Sequence, residues 1–540
     1  MSVKRISYYL GIFLMIIILS GCMSEKEEIQ KIEQDNLEAE MPKLGGELRL
    51  PIIQFDTLNP IINTNKSVYY LNMLIYDGLV KLDKDLNAQP ALAKSWTSTE
   101  DGYVWIFDLR TDVTWHDGKA FSAEDVKFTI DSLKKSIGNE NESVYAIYVK
   151  HIAGVQVMQS DKIMIRFDNA IDNSIEMFTF PIIPKHQFRD EKDVYETVHL
   201  NPIGTGAYRV NKYEKFKNIQ LQVNENYWGD KPYISSIIAA RVPDKEAALT
   251  SVEANEADVA EANHFDWEKY SGDKTLRIYE YITQEYEYLA FNLNRPITGQ
   301  KNIRKALAYG IDRHEVIDEV YLGHATVTDI PIYPKSYLYK EEENRFGKDV
   351  LKATNFLMEL GWENKDEDPW VENDKNQELN LRLLVNEENL QRVKVAEMIA
   401  EQLGQIGIHI VVDKVGWEEY QRKMFANSFD IVLGGWKLSN IPDLRFFLHS
   451  SYIGNTNFAS YKSQEMDQLL NEALMAKNVK EKEKKYQQIQ QVFLEDLPYF
   501  SLYFKNNAII AKEHIKGEIM PLPFNIYHNI EKWHIEDKEK

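Results

Sequence analysis

Between residues 351 and 436 the chain keeps switching its apolar period, and no other stretch limits the fold so tightly. LKATNFLMELG reads as a helix stopped by Gly361, and ELNLRLLVN as a strand. A helical period over residues 390–404 follows, then strand IHIVVDKV, helix WEEYQRKMFAN and strand FDIVLGGW. Helical crossovers of this kind build an open, largely parallel α/β sheet, and such sheets take ligands at the carboxyl ends of their strands. Gly434, Gly435 and Trp436 close the last strand at that end. Two readings fit them equally. Glycines allow a ligand backbone to come close and the indole offers it an apolar wall, or the strand end only needs a turn and Trp436 fills the core.

At 540 residues the chain exceeds what one core organises, since single cores stop growing near about 250–300 residues. Two or more lobes are expected. Cys22 is the only cysteine, so disulfides and thiolate metal sites are excluded and stability must come from burial. The formal net charge of −21 opposes nucleic-acid binding, which needs clustered cations.

The amino end has the three parts of an export signal: Lys4 and Arg5, an apolar run from Tyr8 to Leu19, then Ser20 and Gly21. That run is shorter than the roughly 20 apolar residues a bilayer span requires. Leu19-Ser20-Gly21-Cys22 resembles a bacterial lipobox, which implies cleavage after residue 21 and acylation of Cys22. Two or more acyl chains hold a protein stably at a membrane. Residues 22–43, rich in Glu and Lys, read as a charged linker, and the folded part begins near Leu44.

ALAKSW at 91–96 and DGYVWIFDLRTDVTWHDGKAFSAEDVKFTI at 101–130 read as a strand, a hairpin turning at His116-Asp117-Gly118, and a helix boxed by Ser122 and Asp125. No second metal ligand accompanies His116 at a suitable spacing, so it reads as a turn residue. No G-x-S-x-G, H-E-x-x-H or Walker A pattern occurs, which argues against a hydrolase and leaves any energy for transport to partners.

This segment resembles the signature of the bacterial extracellular solute-binding proteins of family 5, carriers for oligopeptide, dipeptide and nickel ABC importers. TLNP (57–60), YDGL (76–79), PIGTGAYR (202–209), NENYWGDKPYI (224–234), FNLNRPI (291–297), IRKALAYGIDR (303–313), FDIVLGGW (429–436) and YKSQEMDQLL (461–470) extend the likeness over nearly the whole mature length. The resemblance implies a bilobal, type II periplasmic-binding-protein-like fold with two hinge strands. Lobe I would cover residues 44–289, completed by 501–540, with an extra subdomain near 69–203; lobe II would cover 290–500. Crossings are expected near Tyr288–Phe291 and Phe500–Tyr503.

The same resemblance implies a monomeric, membrane-tethered carrier that needs no cofactor, holds an oligopeptide by strand addition and delivers it to a permease with its ATPase. A lipid anchor suggests a Gram-positive surface. Nickel chelate or another small polar solute is the alternative cargo, with His449 available to it. Backbone contacts fall on Thr64, Asn65 and Lys66 and on Gly435, Trp436 and Lys437. Oligopeptide carriers often place an Asp three residues after the tryptophan, to meet the peptide's amino group. Here that position is Ser439. Either Asp443 substitutes, unless it is a helix cap, or the amino terminus is not gripped.

Overall fold

The computed structural model describes residues 42–99, 102–169, 174–198, 200–263, 266–340, 346–366, 368–476 and 478–536. Cys22 and the expected export signal lie outside them.

Two unusually long strands organise the fold. Leu276–Phe291 and Tyr499–Lys512 pair antiparallel in the middle of a seven-stranded sheet. At about 3.3 Å per residue such strands reach well past one core, and here they serve two. Tyr286 to Phe291 and Tyr499 to Phe504 are buried in a large core with the helices and strands between them. Tyr281, Ile509 and Ala511 belong to a second core, built on residues 48–239 and closed by Ile515 to Trp533. Ala508 and Ile510 face a smaller satellite core around Trp267. The chain is therefore bilobal, with two strands crossing between the lobes.

The changeover falls between Tyr281 and Ile282 on one strand and between Phe504 and Ala508 on the other. The strand register slips there, between Ile282 and Tyr286. Thr283 Oγ1 donates to the Lys505 carbonyl at 2.8 Å, filling part of the interrupted ladder. Tyr288–Phe291 and Phe500–Tyr503, expected at the crossings, instead sit inside the large core. Continuous apolar character marks a strand buried on both faces; the crossing is where polar Thr283, Gln284 and Glu285 break it.

The α/β alternation folds as its periodicity demands. Strand Asn380–Asn386 runs parallel to both His409–Val415 and Ile431–Lys437, with helices Leu390–Gly404 and Trp417–Phe425 between them. Ile431–Lys437 then pairs antiparallel with Leu276–Phe291, so the sheet as a whole is mixed. In the other lobe, Glu47–Ile53 lies parallel to Ser236–Val242, followed by Asn218–Val223 and Tyr208–Glu214. A separate antiparallel sheet joins Ala93–Ser98, Val104–Leu109, Lys162–Phe167 and Ile152–Gln159.

The motifs that carry the family likeness tie this first lobe together. Asp77, from YDGL, accepts hydrogen bonds from Thr205 Oγ1 at 2.9 Å and Trp228 Nε1 at 3.0 Å. Gly206 N donates to the Ile75 carbonyl at 2.9 Å. A Cβ on Gly206 would stand 2.5 Å from the Leu74 carbonyl oxygen, and one on Gly204 would collide with the Ile75 carbonyl. Both glycines are needed because the loop lies flat on the end of helix Lys66–Ile75. His116 completes the knot. Its Nδ1 accepts from Gly204 N at 3.1 Å, which leaves Nε2–H to donate to the Gly206 carbonyl at 3.0 Å. Burial lowers its pKa to about 4, so the ring stays neutral.

Candidate functional site

Strand Ile431–Lys437 pairs with Asn380–Asn386 only through Ile431 and Val432. Its remaining residues keep their partner on the Leu276–Phe291 side, while no described strand pairs with Gly434–Lys437 on the other. An open strand edge thus emerges at the carboxyl end of the parallel strands, where a ligand site belongs. The chain continues as the loop Leu438–Leu444, which bonds back to the hinge. Leu438 N donates to the Gln284 carbonyl at 2.9 Å, and Gln284 Nε2 to Asn440 Oδ1 at 2.5 Å. The loop is thereby fixed to the point where the register slips.

Between this loop and the first lobe lies a cavity of about 580 Å³, within the ~300–1,000 Å³ range usual for small-ligand pockets. Trp436, Lys437, Ser439, Asn440 and Asp443 line it from one lobe, and Tyr148, Lys150, Ser174 and Glu176 from the other. Trp436 is a fixed wall: it stacks on Phe458 with centroids 5.9 Å apart and meets Phe446 edge-on at 5.1 Å. Ser439 stands against the Tyr148 phenol, whose pKa is raised by burial and eased back by that hydroxyl.

Two ion pairs frame the cavity. Asp443 Oδ2 meets Arg445 Nη2 at 2.7 Å, and Asp443 Oδ1 accepts the Arg445 amide at 2.9 Å at the start of the short helix Arg445–Leu448. Glu176, 2% exposed, meets Lys482 Nζ at 2.8 Å and accepts from Tyr337 Oη at 3.0 Å. Burial alone would raise the Glu176 pKa; the Lys482 charge and the hydrogen bonds from Lys482 and Ser174 outweigh it and hold the carboxyl below its usual 4.5. Since Met177 and Phe178 belong to one core and Tyr486 to the other, this pair joins the lobes. Tyr337 N adds a 2.8 Å hydrogen bond to the Asp85 carbonyl.

Gly435 lies just behind the lining. A Cβ there would strike the Arg392 guanidinium and stand 2.8 Å from Glu287 Oε1 and 2.9 Å from the Tyr286 carbonyl. Glu287 is paired with Arg392 at 2.7 Å and Lys505 at 3.2 Å. The close approach that Gly435 permits is therefore made by the protein's own buried ion pair.

Thr64, Asn65 and Lys66 do not line this cavity. Asn65 caps helix Lys66–Ile75, its Oδ1 accepting from Ser67 N and Val68 N. Lys66 Nζ pairs with Glu261 at 2.7 Å, and Glu261 also accepts from Tyr281 Oη at 2.5 Å. Lys66 is thus tied to the first-lobe end of a crossing strand, and Thr64 is exposed beside it. His449 is outside the lining as well; its Nδ1 accepts the Ser451 amide at 3.1 Å. Asp366, Asp368 and Glu372 bring carboxylate oxygens within 4.8 Å of one another, but none lines the cavity and Glu372 already accepts the Lys365 amide. Tyr148, Glu176, Gln284, Tyr337 and Arg445 carried no signal in the sequence.

Two lobes, two crossing strands and a cavity between them define a solute-binding protein of the bilobal class. Residues 87–458 match the family described as bacterial extracellular solute-binding proteins, family 5 Middle, and the chain belongs to that family. It is 28% identical over 535 residues to oligopeptide-binding protein AppA of Bacillus subtilis, covering 97% of each chain. Among solved structures it is similar to Bacillus subtilis AppA in complex with a nonapeptide, with a TM-score of 0.61 and 26% identity over 92% of this chain and 100% of that one. It is also similar in fold to NikZ from Campylobacter jejuni in complex with Ni(L-His), with a TM-score of 0.64 and 24% identity over the same shares.

Proposed function

We propose that the protein captures oligopeptides outside the membrane, closes over them, and hands them to an ABC permease driven by a separate ATPase. The observation that carries this reading is the open strand edge that reaches a cavity framed by both lobes at Trp436 and Lys437. A carrier for many sequences must hold what all peptides share, the main chain, and an unpaired strand edge supplies donors and acceptors at peptide spacing. Trp436, Tyr148, Tyr333 and Phe446 in the lining offer side chains apolar contact. AppA, seen with a nonapeptide, supports the cargo class.

In this reading Gly435, Trp436 and Lys437 form the second-lobe edge. Thr64 and Lys66, on a turn that Asn65 holds in place, meet only a ligand that extends beyond this cavity along the first lobe. The lobes meet at residues 282–286 and 504–507, so lobe I runs from 44 to about 281 and resumes near 508. Its inserted subdomain carries Tyr148 and Glu176 to the cavity. Acylated Cys22 tethers a monomeric carrier to the outer face of a Gram-positive membrane, which raises its effective concentration at the permease. The protein binds and releases its cargo without chemistry.

Native mass spectrometry of the purified protein tests this. A spread of peptide masses is the expected result; one discrete mass of a metal chelate would replace the reading with the nickel-type alternative.

A further inference from the structure

The cavity is charged against the trend of the molecule. The chain as a whole carries −21, yet its lining sets the cations Lys150, Lys437 and Arg445 against the carboxylates Glu176 and Asp443. Both carboxylates are committed, Glu176 to Lys482 at 2.8 Å and Asp443 to Arg445 at 2.7 Å. An ammonium entering the cavity would have to break one of these pairs or lose its hydration without a partner, and either is costly in a partly buried site. His151, also in the lining, lies 3.3 Å from Asp168. Lys150 and Lys437 differ from all of these: neither makes an ion pair among the described residues. Lys150 follows the short helix Ala146–Val149 in the first lobe and Lys437 ends strand Ile431–Lys437 in the second, opposite Glu285 across the strand pair, so each lobe contributes one cation outside any ion pair among the described residues.

We propose that the ligand brings a carboxylate and no free ammonium to this cavity, the carboxylate resting between Lys150 and Lys437. The cargo class is then acid-bearing peptides whose amino end is blocked or lies elsewhere. This rests on the oligopeptide reading above and narrows it. An anion held by cations from opposite lobes favours the closed form, whereas a cationic ligand adds to their mutual repulsion and favours the open one. Ligand charge is thereby coupled to closure through differential affinity for the two states. Trp436, Tyr148, Ile441 and Leu444 stand around the two cations as apolar wall.

The test is retention of short random peptides by the full-length protein in four terminal states: amine or acetyl at one end, carboxylate or amide at the other. Acetylated peptides with a free carboxylate should bind about tenfold more tightly than amine-bearing amides. Lys437→Gln and Lys150→Gln should each cost the carboxylate peptides about fivefold more than they cost acetylated amides. Amine-bearing amides held as tightly as acetylated acids, or lysine variants with no effect on acids, would overturn the proposal while leaving peptide capture intact. Failure to retain any of the four sets would remove both.

Discussion

Neutralising Glu176 should hold the protein open. Its carboxylate lies beside Met177 and Phe178 in the first-lobe core, and Lys482 stands on helix Val479–Asp496, whose Tyr486 and Ile489 belong to the second. Side-chain exposures of 2% and 11% make this a buried pair, and removing one member of such a pair costs about 3–5 kcal/mol because the other charge stays desolvated. Glu176→Gln keeps the shape and the acceptor for Tyr337, which places it near the lower end, at about 3 kcal/mol. Opening the cleft returns Lys482 to water, so the cost falls on the closed form alone. The closed-to-open ratio should then drop about 150-fold, and apparent ligand affinity with it wherever the closed form is the competent one. Small-angle scattering would read the opening, ligand titration the affinity, and thermal unfolding would confirm that the lobes remain folded. Glu176→Leu with Lys482→Met, which removes both charges, should restore much of the closure. Unchanged scattering with affinity within about twofold of the parent would refute the idea that this pair latches the lobes.

Acid should act on the same latch. Because the Glu176 pKa is depressed in the closed form, its contribution is complete above 4.5 and is lost as pH falls from there through the lowered value, so affinity measured against pH should stay flat down to about 4.5 and decline below it. Gly435→Ala places a methyl against Arg392 and 2.9 Å from the Tyr286 carbonyl; a loss of about 1–3 kcal/mol in a denaturant melt is expected, and an unshifted midpoint would contradict it. Gly204→Ala, which meets the Ile75 backbone itself, should cost more than Gly435→Ala in the same melt, since a carbonyl at a helix end yields less than a guanidinium. Cys22→Ser should move the protein from the membrane fraction of a lysed culture to the soluble one, and continued retention would exclude the lipid tether.

The architecture could be read from local pattern because each signal lies within a few residues of its cause. Helix Leu390–Gly404 and its flanking strands follow directly from apolar spacing. Family motifs such as YDGL and PIGTGAYR also announced the fold, and the structure gives the reason: Asp77, Thr205, Gly206 and Trp228 meet in one knot that ties the first lobe together. For the same reason these motifs say little about cargo. Of the expected contact residues, Trp436, Lys437, Ser439 and Asp443 came together at the cavity, while Asn65 proved to be occupied with a helix cap.

What the sequence determined by itself is therefore the class of fold, the α/β succession of the second lobe and the strand end at Trp436. These depend on periodicity and on short motifs, which are properties of neighbouring residues. Only the tertiary structure decided where the lobes part, that Gly435 makes room for Arg392 and Glu287, and which charges in the cavity are already spent. Glu176 and Lys482 lie 306 residues apart, and nothing in either neighbourhood announces the other. Electrostatic compensation is set by distance in space, so the net sign of the cleft emerged only once the chain had folded.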